Sequence, residues 1–565
     1  MRRLVSLVAA LGFVFGTLVG PAGAAPALAG GKRAAVDPVL KQKAEKNGAE
    51  DVPVIIERSD DRSAVDAVQA KGGKIKRQLK AHKGLVADVA AGSLDALASE
   101  PGVTRIAFDA PMTLKGEVDW DDRPLESVYP SVVGAPELWA SGVMGQGVGV
   151  AIVDSGLRDH EDFKDADVKD KNRKSGKSRL LKRFAVEVKD QGGDDDDQGH
   201  GTWVAGIVGG RGWGDWESQD KQRPGKYVGV APGVQLIGVK VANKRGVSRL
   251  SDAVAGIEWV IENRDQYNIR VMNLSLVSTV AESYHTSVLD AAVEQAWLSG
   301  IVVVVAAGND GPDTMLYPPA NDPFAIVVGA TDDNGTVDRA DDQRVWFSSY
   351  GTTQDGVVKP DLVAPGRRIV STLAAHDVPL ARQFSDRIVR GHYLRLSGTS
   401  ASAPVVSGVV ALLLQARPGL RPDEVKWLLQ KTAAPVAGEG TGAGYAQAGA
   451  AVRYNGEIGR ANRGVVPNRY IQLAFLARTG ELGASGTGWD SSSWSSSSWS
   501  QSDWESSSWS TSSWSQSDWE SSSWSTSSWS RSDWESSSWN RSGWDTSSWS
   551  DNGWDSSSWS ANSRD

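Results

Sequence analysis

Four residues, in a fixed order, carry the chemistry this sequence could do. Asp154 closes the apolar run Val148–Val153 and is followed by Ser155-Gly156. His200 sits between Gly199 and Gly201, just ahead of the helical stretch Trp203–Gly209. Ser400 lies in Gly398-Thr399-Ser400-Ala401-Ser402-Ala403-Pro404, which opens the apolar stretch Val405–Gln415. Asn309 follows the run Ile301–Ala307 in Gly308-Asn309-Asp310-Gly311. A serine hydroxyl is a poor nucleophile near neutral pH, so a neighbouring imidazole must take its proton. A carboxylate must hold that imidazole in one tautomer and stabilise its cation. An Asn amide at a strand end can donate to the oxyanion of a tetrahedral intermediate. Glycines beside these groups let a substrate backbone come close. A helix beginning at Ser400 turns its positive end toward developing negative charge. Singly, Asp154 would read as a turn aspartate and Ser400 as a helix cap. In this combination they specify covalent acyl transfer.

The elements that must position them are legible as runs. Val148–Val153, Val234–Val241, Val271–Leu276, Ile301–Ala306 and Ala325–Gly329 are nearly continuous apolar stretches, suited to strands buried on both faces of a parallel sheet. Helical stretches Leu250–Asn263, Ser287–Ser299 and Thr399–Gln415 separate them. The alternation predicts a three-layer α/β domain over 130–450 with a mostly parallel central sheet. Sites on such sheets gather at the carboxyl ends of strands, where Asp154 stands. Residues 51–114 read as a smaller α+β unit. Its strands are Val52–Glu57, Lys74–Leu79, Leu85–Ala90 and Val103–Phe108, with helices at Asp61–Lys71 and Ser93–Ser99. That order fits a ferredoxin-like βαββαβ arrangement.

The ends of the chain differ from its middle. Arg2 and Arg3 precede the apolar run Leu4–Val19 and small-residue cleavage patterns at Ala22–Ala24 and Ala27–Ala29, so 1–29 reads as a signal peptide. With no cysteine among 565 residues, disulfide and thiolate–metal chemistry are excluded. Residues 451–485 read as a linker. From 486 to 565, 15 tryptophans recur at every fifth residue in a Ser-rich tract of net charge −8, against −9 for the whole chain. Neither part has the basic face that nucleic-acid binding requires. The tract lacks the aliphatic residues of an ordinary core, and a spacing of five puts its indoles on no single helix face. It reads as an extended or disordered tail that attaches to a cell envelope or carbohydrate surface, as a solvated tail without a partner, or as a segment that self-associates by β-like stacking against its net charge.

Together, the four motifs resemble the subtilisin-like (subtilase) serine peptidases, whose catalytic residues occur in the order Asp, His, Ser. The resemblance spans about 130–450. It implies that Asp154 orients His200, that His200 is the general base and that Ser400 is the nucleophile. It implies that Asn309 and the Ser400 N–H form the oxyanion hole. It places Ser275, Leu276 and Val277 on one wall of the specificity pocket and Ala307 and Gly308 on the other. Asn243–Ser248, with Gly246, falls where a substrate-pairing strand is found. By the same resemblance, 30–129 is an inhibitory propeptide with 51–114 as its folded part, removed by self-cleavage in the region Thr113–Tyr129. A secreted endopeptidase follows, needing no organic cofactor and acting on protein or peptide substrates.

The departures are Trp203 and Val405 where histidine is frequent, and Val277 where glycine is frequent. Val277 would narrow the specificity pocket, and the uncharged walls would favour apolar P1 side chains. Calcium is a possible ligand, but no clear copy of the family's calcium-binding loop lies between His200 and Gly229 to support it. The acidic run Asp194–Asp197 reads as a solvated loop, with Asp197 the member nearest His200. His160 reads as structural, His82, His285, His376 and His392 as loop or surface residues, and Asp332 and Asp333 as ordinary turn residues. A rival reading makes the Trp/Ser tail the main function, on a surface-binding protein whose peptidase activity is secondary.

Overall fold

The computed structural model describes residues 33–58, 63–79, 84–114, 127–165, 177–186, 193–212 and 226–472. The signal-peptide reading, the Trp/Ser tail and His82 lie outside them.

The central sheet follows the apolar runs. Gly149–Asp154 and Ile269–Leu274 lie side by side and parallel. Gln235–Lys240 and then Leu180–Ala185 extend the sheet on one side. Val302–Ala306, Ile326–Asp332 and Leu362–Pro365 extend it on the other, all parallel. Among the described residues, only the short Gln343–Arg344 edge runs antiparallel in this sheet. Every residue of Gly149–Asp154 is buried, as expected of strands covered on both faces. Helices Leu250–Asn263 and Val288–Leu298 cover one face, and His200–Gly209 and Thr399–Ala416 the other. The three-layer α/β expectation therefore holds. Thr399–Ala416 is long and apolar enough to cross a membrane, but 89% of it is buried inside the protein. Its all-round apolarity is that of a core helix. Val405, buried within it, packs in this core.

The N-terminal unit has strands Val103–Phe108, Asp51–Arg58, Gly84–Ala90 and Lys74–Leu79 in that spatial order, all antiparallel. This is the ferredoxin-like order expected from the sequence. Two further elements, not expected, lie ahead of residue 51. Ala35–Val36 adds a parallel edge strand to Val103–Phe108, and Pro38–Lys46 is a helix.

This unit sits on the large domain with defined chemistry. Helix Leu250–Asn263 has no side-chain cap of its own, so the N–H groups of its first turn need partners from elsewhere. Asp109, fully buried, accepts from the Ser251 N–H at 2.9 Å and the Ser251 hydroxyl at 2.8 Å. Arg77 pairs with Asp252 at 3.1 Å. Beyond Asp109, the strand Pro111–Leu114 inserts between Val247–Arg249 and Leu276–Ser278, antiparallel to both.

Two sequence expectations need correction. Asp332 and Asp333 are not ordinary turn residues. Both are buried, and Asp332 binds Arg367 at 2.5 Å and Arg368 at 2.7 Å. A carboxylate removed from water needs such partners. The linker expected from 451 does not begin there either. Ala448–Arg453 is helical, and Asn462 and Asn468 are buried against the large domain.

Candidate active site

Asp154 ends its strand fully buried, and His200 opens its helix with 2% exposure. The His200 Nδ1 lies 2.9 and 3.0 Å from the two Asp154 carboxylate oxygens. That contact assigns the Nδ1 proton and leaves Nε2 to accept one. Nε2 is buried without a hydrogen-bond partner among the described residues. The two elements can meet this closely because residue 201 is glycine. A Cβ there would collide with the carbonyl oxygen of Gly156.

Burial disfavours the His200 cation. The Asp154 charge and hydrogen bond, with Asp196 behind them, more than offset this and raise its pKa above the ordinary 6.5. A raised pKa means that the folded state holds this proton more tightly. The stability it contributes is full below the unfolded value and is lost as pH rises through the folded one. A general base works only when neutral. We therefore expect kcat/KM on a small peptide to fall about tenfold per pH unit on an acid limb centred above pH 6.5. A pH–rate profile with its acid limb centred below about 6 would contradict this electrostatic account.

Asp196, not Asp197, organises this corner. The fully buried Asp196 accepts from Gly199 N–H at 2.7 Å, Thr202 N–H at 2.8 Å, the Thr202 hydroxyl at 2.6 Å and the Ser155 hydroxyl at 2.9 Å. It thereby ties the strand end at Asp154 to the helix start at His200. The Ser155 hydroxyl also accepts from Gly201 N–H at 2.9 Å. The acidic run is not a solvated loop. Asp195 bridges Arg158 and Arg183, and Asp197 pairs with the buried Lys240. An Asp four residues before a helix-opening His was the available signal. His160 caps the turn at Glu161 by accepting from Asp162 N–H, a structural role. Trp203 is buried beside His200 and donates to the Leu394 carbonyl at 2.9 Å.

Ser400 is buried in the first turn of helix Thr399–Ala416. Its carbonyl would ordinarily bond the N–H four residues on, but that residue is Pro404, which has none. The Ser275 hydroxyl donates to it instead, at 3.4 Å. Ser275 is itself held by the Asn273 amide at 2.9 Å, whose oxygen accepts from Ser407 at 2.9 Å. The amide oxygen of Asn309 accepts from both the N–H and the hydroxyl of Thr399, each at 2.9 Å. This fixes the amide and turns its NH₂ away from Thr399. Thr399 also accepts from Gly308 N–H at 3.1 Å. The positive φ of Gly308, 107°, is one that side-chain-bearing residues rarely adopt. Thr399, like Asp196, was missed in the sequence.

Of the residues expected to meet substrate, Leu276 and Val277 pair with the inserted strand and Gly246 leads into its other neighbour. Leu276 pairs with Leu114, and Val277 with Thr113. Gly246 forms the turn leading into Val247–Arg249, whose first residue also pairs with Thr113. Ala307 stays in register with the sheet through Val328. Among the described residues, no three His, Cys, Asp or Glu side chains group as metal ligands.

A fold of this kind with these motifs in this order defines a known class. The model of the subtilase family matches residues 145–460, and the chain belongs to that family. It is 40% identical over 292 residues to serine protease AprX of Bacillus subtilis, covering 51% of this chain and 61% of AprX. The chain thus spans about three fifths of the length of that relative. It is 30% identical over 374 residues to subtilisin E of Bacillus subtilis, covering 65% of this chain and 80% of that protein. In fold it is similar to fervidolysin of Fervidobacterium pennivorans, described as a keratinolytic enzyme related to subtilisin. That likeness has a TM-score of 0.56 at 24% identity, over 76% of this chain and 64% of that one.

Proposed function

We propose that this chain is a secreted serine endopeptidase that cleaves peptide bonds through an acyl-enzyme on Ser400. The buried Asp154–His200 pair carries the reading, because it leaves one imidazole nitrogen poised to take a proton. The Ser400 Oγ attacks the scissile carbonyl carbon as its proton passes to His200 Nε2. Asp154 stabilises the resulting imidazolium. The oxyanion is held by the Asn309 NH₂ and the Ser400 N–H, at the positive end of its helix. Collapse expels the amine, protonated by His200, and water then repeats the sequence on the ester. No organic cofactor enters.

We also propose that residues 30–129 are a propeptide which the enzyme removes from itself. The strand Pro111–Leu114 supports this, because it lies between two strands as an extended substrate would. Leu114 pairs with Leu276, next to Ser275, whose hydroxyl contacts the Ser400 carbonyl. The strand therefore runs toward Ser400, and the cut is proposed within the few residues after Leu114. The folded N-terminal unit would also assist the slow long-range pairing of a parallel sheet. The tail, 486–565, is proposed to hold the mature enzyme at a cell-envelope or carbohydrate surface.

Asn309→Ala tests the oxyanion assignment. We expect kcat to fall about 10²–10³-fold with KM little changed, the cost known for losing one such donor in a subtilisin. An unchanged kcat would remove Asn309 from the mechanism.

A further inference from the structure

The residues just past the family match form a strap on the large domain. Asn468 N–H donates to Glu294 at 2.7 Å, and its side-chain amide donates to the carbonyls of Tyr284 and, at 2.8 Å, Ser287. Arg469 N–H donates to the His285 carbonyl at 3.0 Å. The Tyr284 hydroxyl donates to the Val466 carbonyl at 2.9 Å. These bonds fix the backbone of 466–469 and aim Arg469 and Tyr470 at the N-terminal unit.

Arg105 of that unit, 6% exposed, is the centre of the joint. Its guanidinium donates to Asp37 at 2.8 Å, to Glu282, to the Thr286 carbonyl and to the Tyr470 hydroxyl at 3.3 Å. Glu57, 1% exposed, lies 3.8 Å from Arg105 and 3.6 Å from Arg469. Arg469 also donates to the Tyr470 hydroxyl at 2.9 Å. Three separate parts of the chain therefore share one buried ionic cluster. The N-terminal unit brings one cation and two carboxylates to it, so it arrives with excess negative charge. On the other side of the joint, Arg469 of the strap adds a cation beside Glu57, and Glu282 adds a carboxylate beside Arg105. Burial of such charges is tolerated only where each has a partner of opposite sign, so the cluster favours this partner. Burial works against the Arg105 charge, but Asp37, Tyr470, Glu282 and Glu57 more than restore it.

We propose that the strap 465–472 is a docking element for the N-terminal unit. This rests on the reading of the unit as a cleavable inhibitor. It adds a partner surface outside the substrate cleft and outside the family match. Loss of the unit takes Arg105, Asp37 and Glu57 away and leaves the strap held by its backbone bonds to the large domain.

The test uses the full chain with an affinity tag on the N-terminal unit. The chain is cut within 115–126 by the enzyme itself or by an added protease at a site inserted there. The half-life of the body on the tagged unit is then measured. Arg469→Ala is expected to shorten that half-life about 10- to 100-fold, because removing one partner of a buried charge pair acts on dissociation. Tyr470→Phe should shorten it less. Arg469→Lys should restore most of it, since the Glu57 contact is made through charge. The kcat/KM of fully activated enzyme should be the same in all three. Unchanged half-lives in both Arg469→Ala and Tyr470→Phe would overturn the proposal. A wild-type body that stays bound yet fully active would contradict the inhibitor reading alone; the strap proposal is decided by the variants' half-lives.

Discussion

Ser400→Ala is expected to lower kcat by about 10⁶-fold, the scale known for removing the nucleophile of a subtilisin. The fold should survive. Ser400 is buried at a helix start, and the Ser275 contact that holds its carbonyl does not depend on its hydroxyl. Alanine also suits a helix. The same substitution should leave the N-terminal unit attached when the chain is made without other proteases, because the cut after Leu114 is proposed to be its own work. Mass spectrometry of the purified protein reads that outcome directly. A shortened N-terminus in Ser400→Ala would sink self-processing, and undiminished turnover would sink the nucleophile.

Asp154→Asn is the second large effect. An amide can donate as well as accept, so it can hold His200 in the tautomer that carries the proton on Nε2. The nitrogen that must act as base would then be blocked, and the imidazolium would lose its counter-charge. We expect kcat to drop about 10⁴-fold, the size seen for such a change in another serine peptidase. The acid limb of the pH profile should also move down, because Asp154 is the leading group that raises the His200 pKa. A full-sized rate loss with an unmoved acid limb would separate the two roles and contradict the electrostatic one.

Much of this site is legible in the sequence. Asp154 and Asn309 follow continuous apolar runs whose only sensible home is a two-sided sheet. His200 and Ser400 precede helical stretches, an order from which the four residues are expected at one end of the layers, and the structure joins Asp154 to His200 and Asn309 to the residue beside Ser400. The small unit's strand order is legible because its elements between 51 and 108 follow the βαββαβ sequence. What stays hidden depends on side-chain reach across the chain. Asp196 sits in a run of four acids, marked only by its place four residues before His200, and its bonds to Gly199, Thr202 and Ser155 show its role. Thr399 looks like filler beside the serine, yet it fixes the Asn309 amide from 90 positions away. The role of Pro404 appears only once Ser275 is seen against the Ser400 carbonyl. The strap at 465–472 has no apolar period, and its partners lie more than 170 positions back in the sequence.

Covalent labelling of the active protein with a serine-directed phosphonate, followed by peptide mapping, tests the catalytic assignment most directly. One adduct is predicted, on Ser400, formed in step with loss of activity and greatly slowed in Asp154→Asn. Full loss of activity with the adduct on another residue, or active enzyme that takes up no label at Ser400, would contradict it.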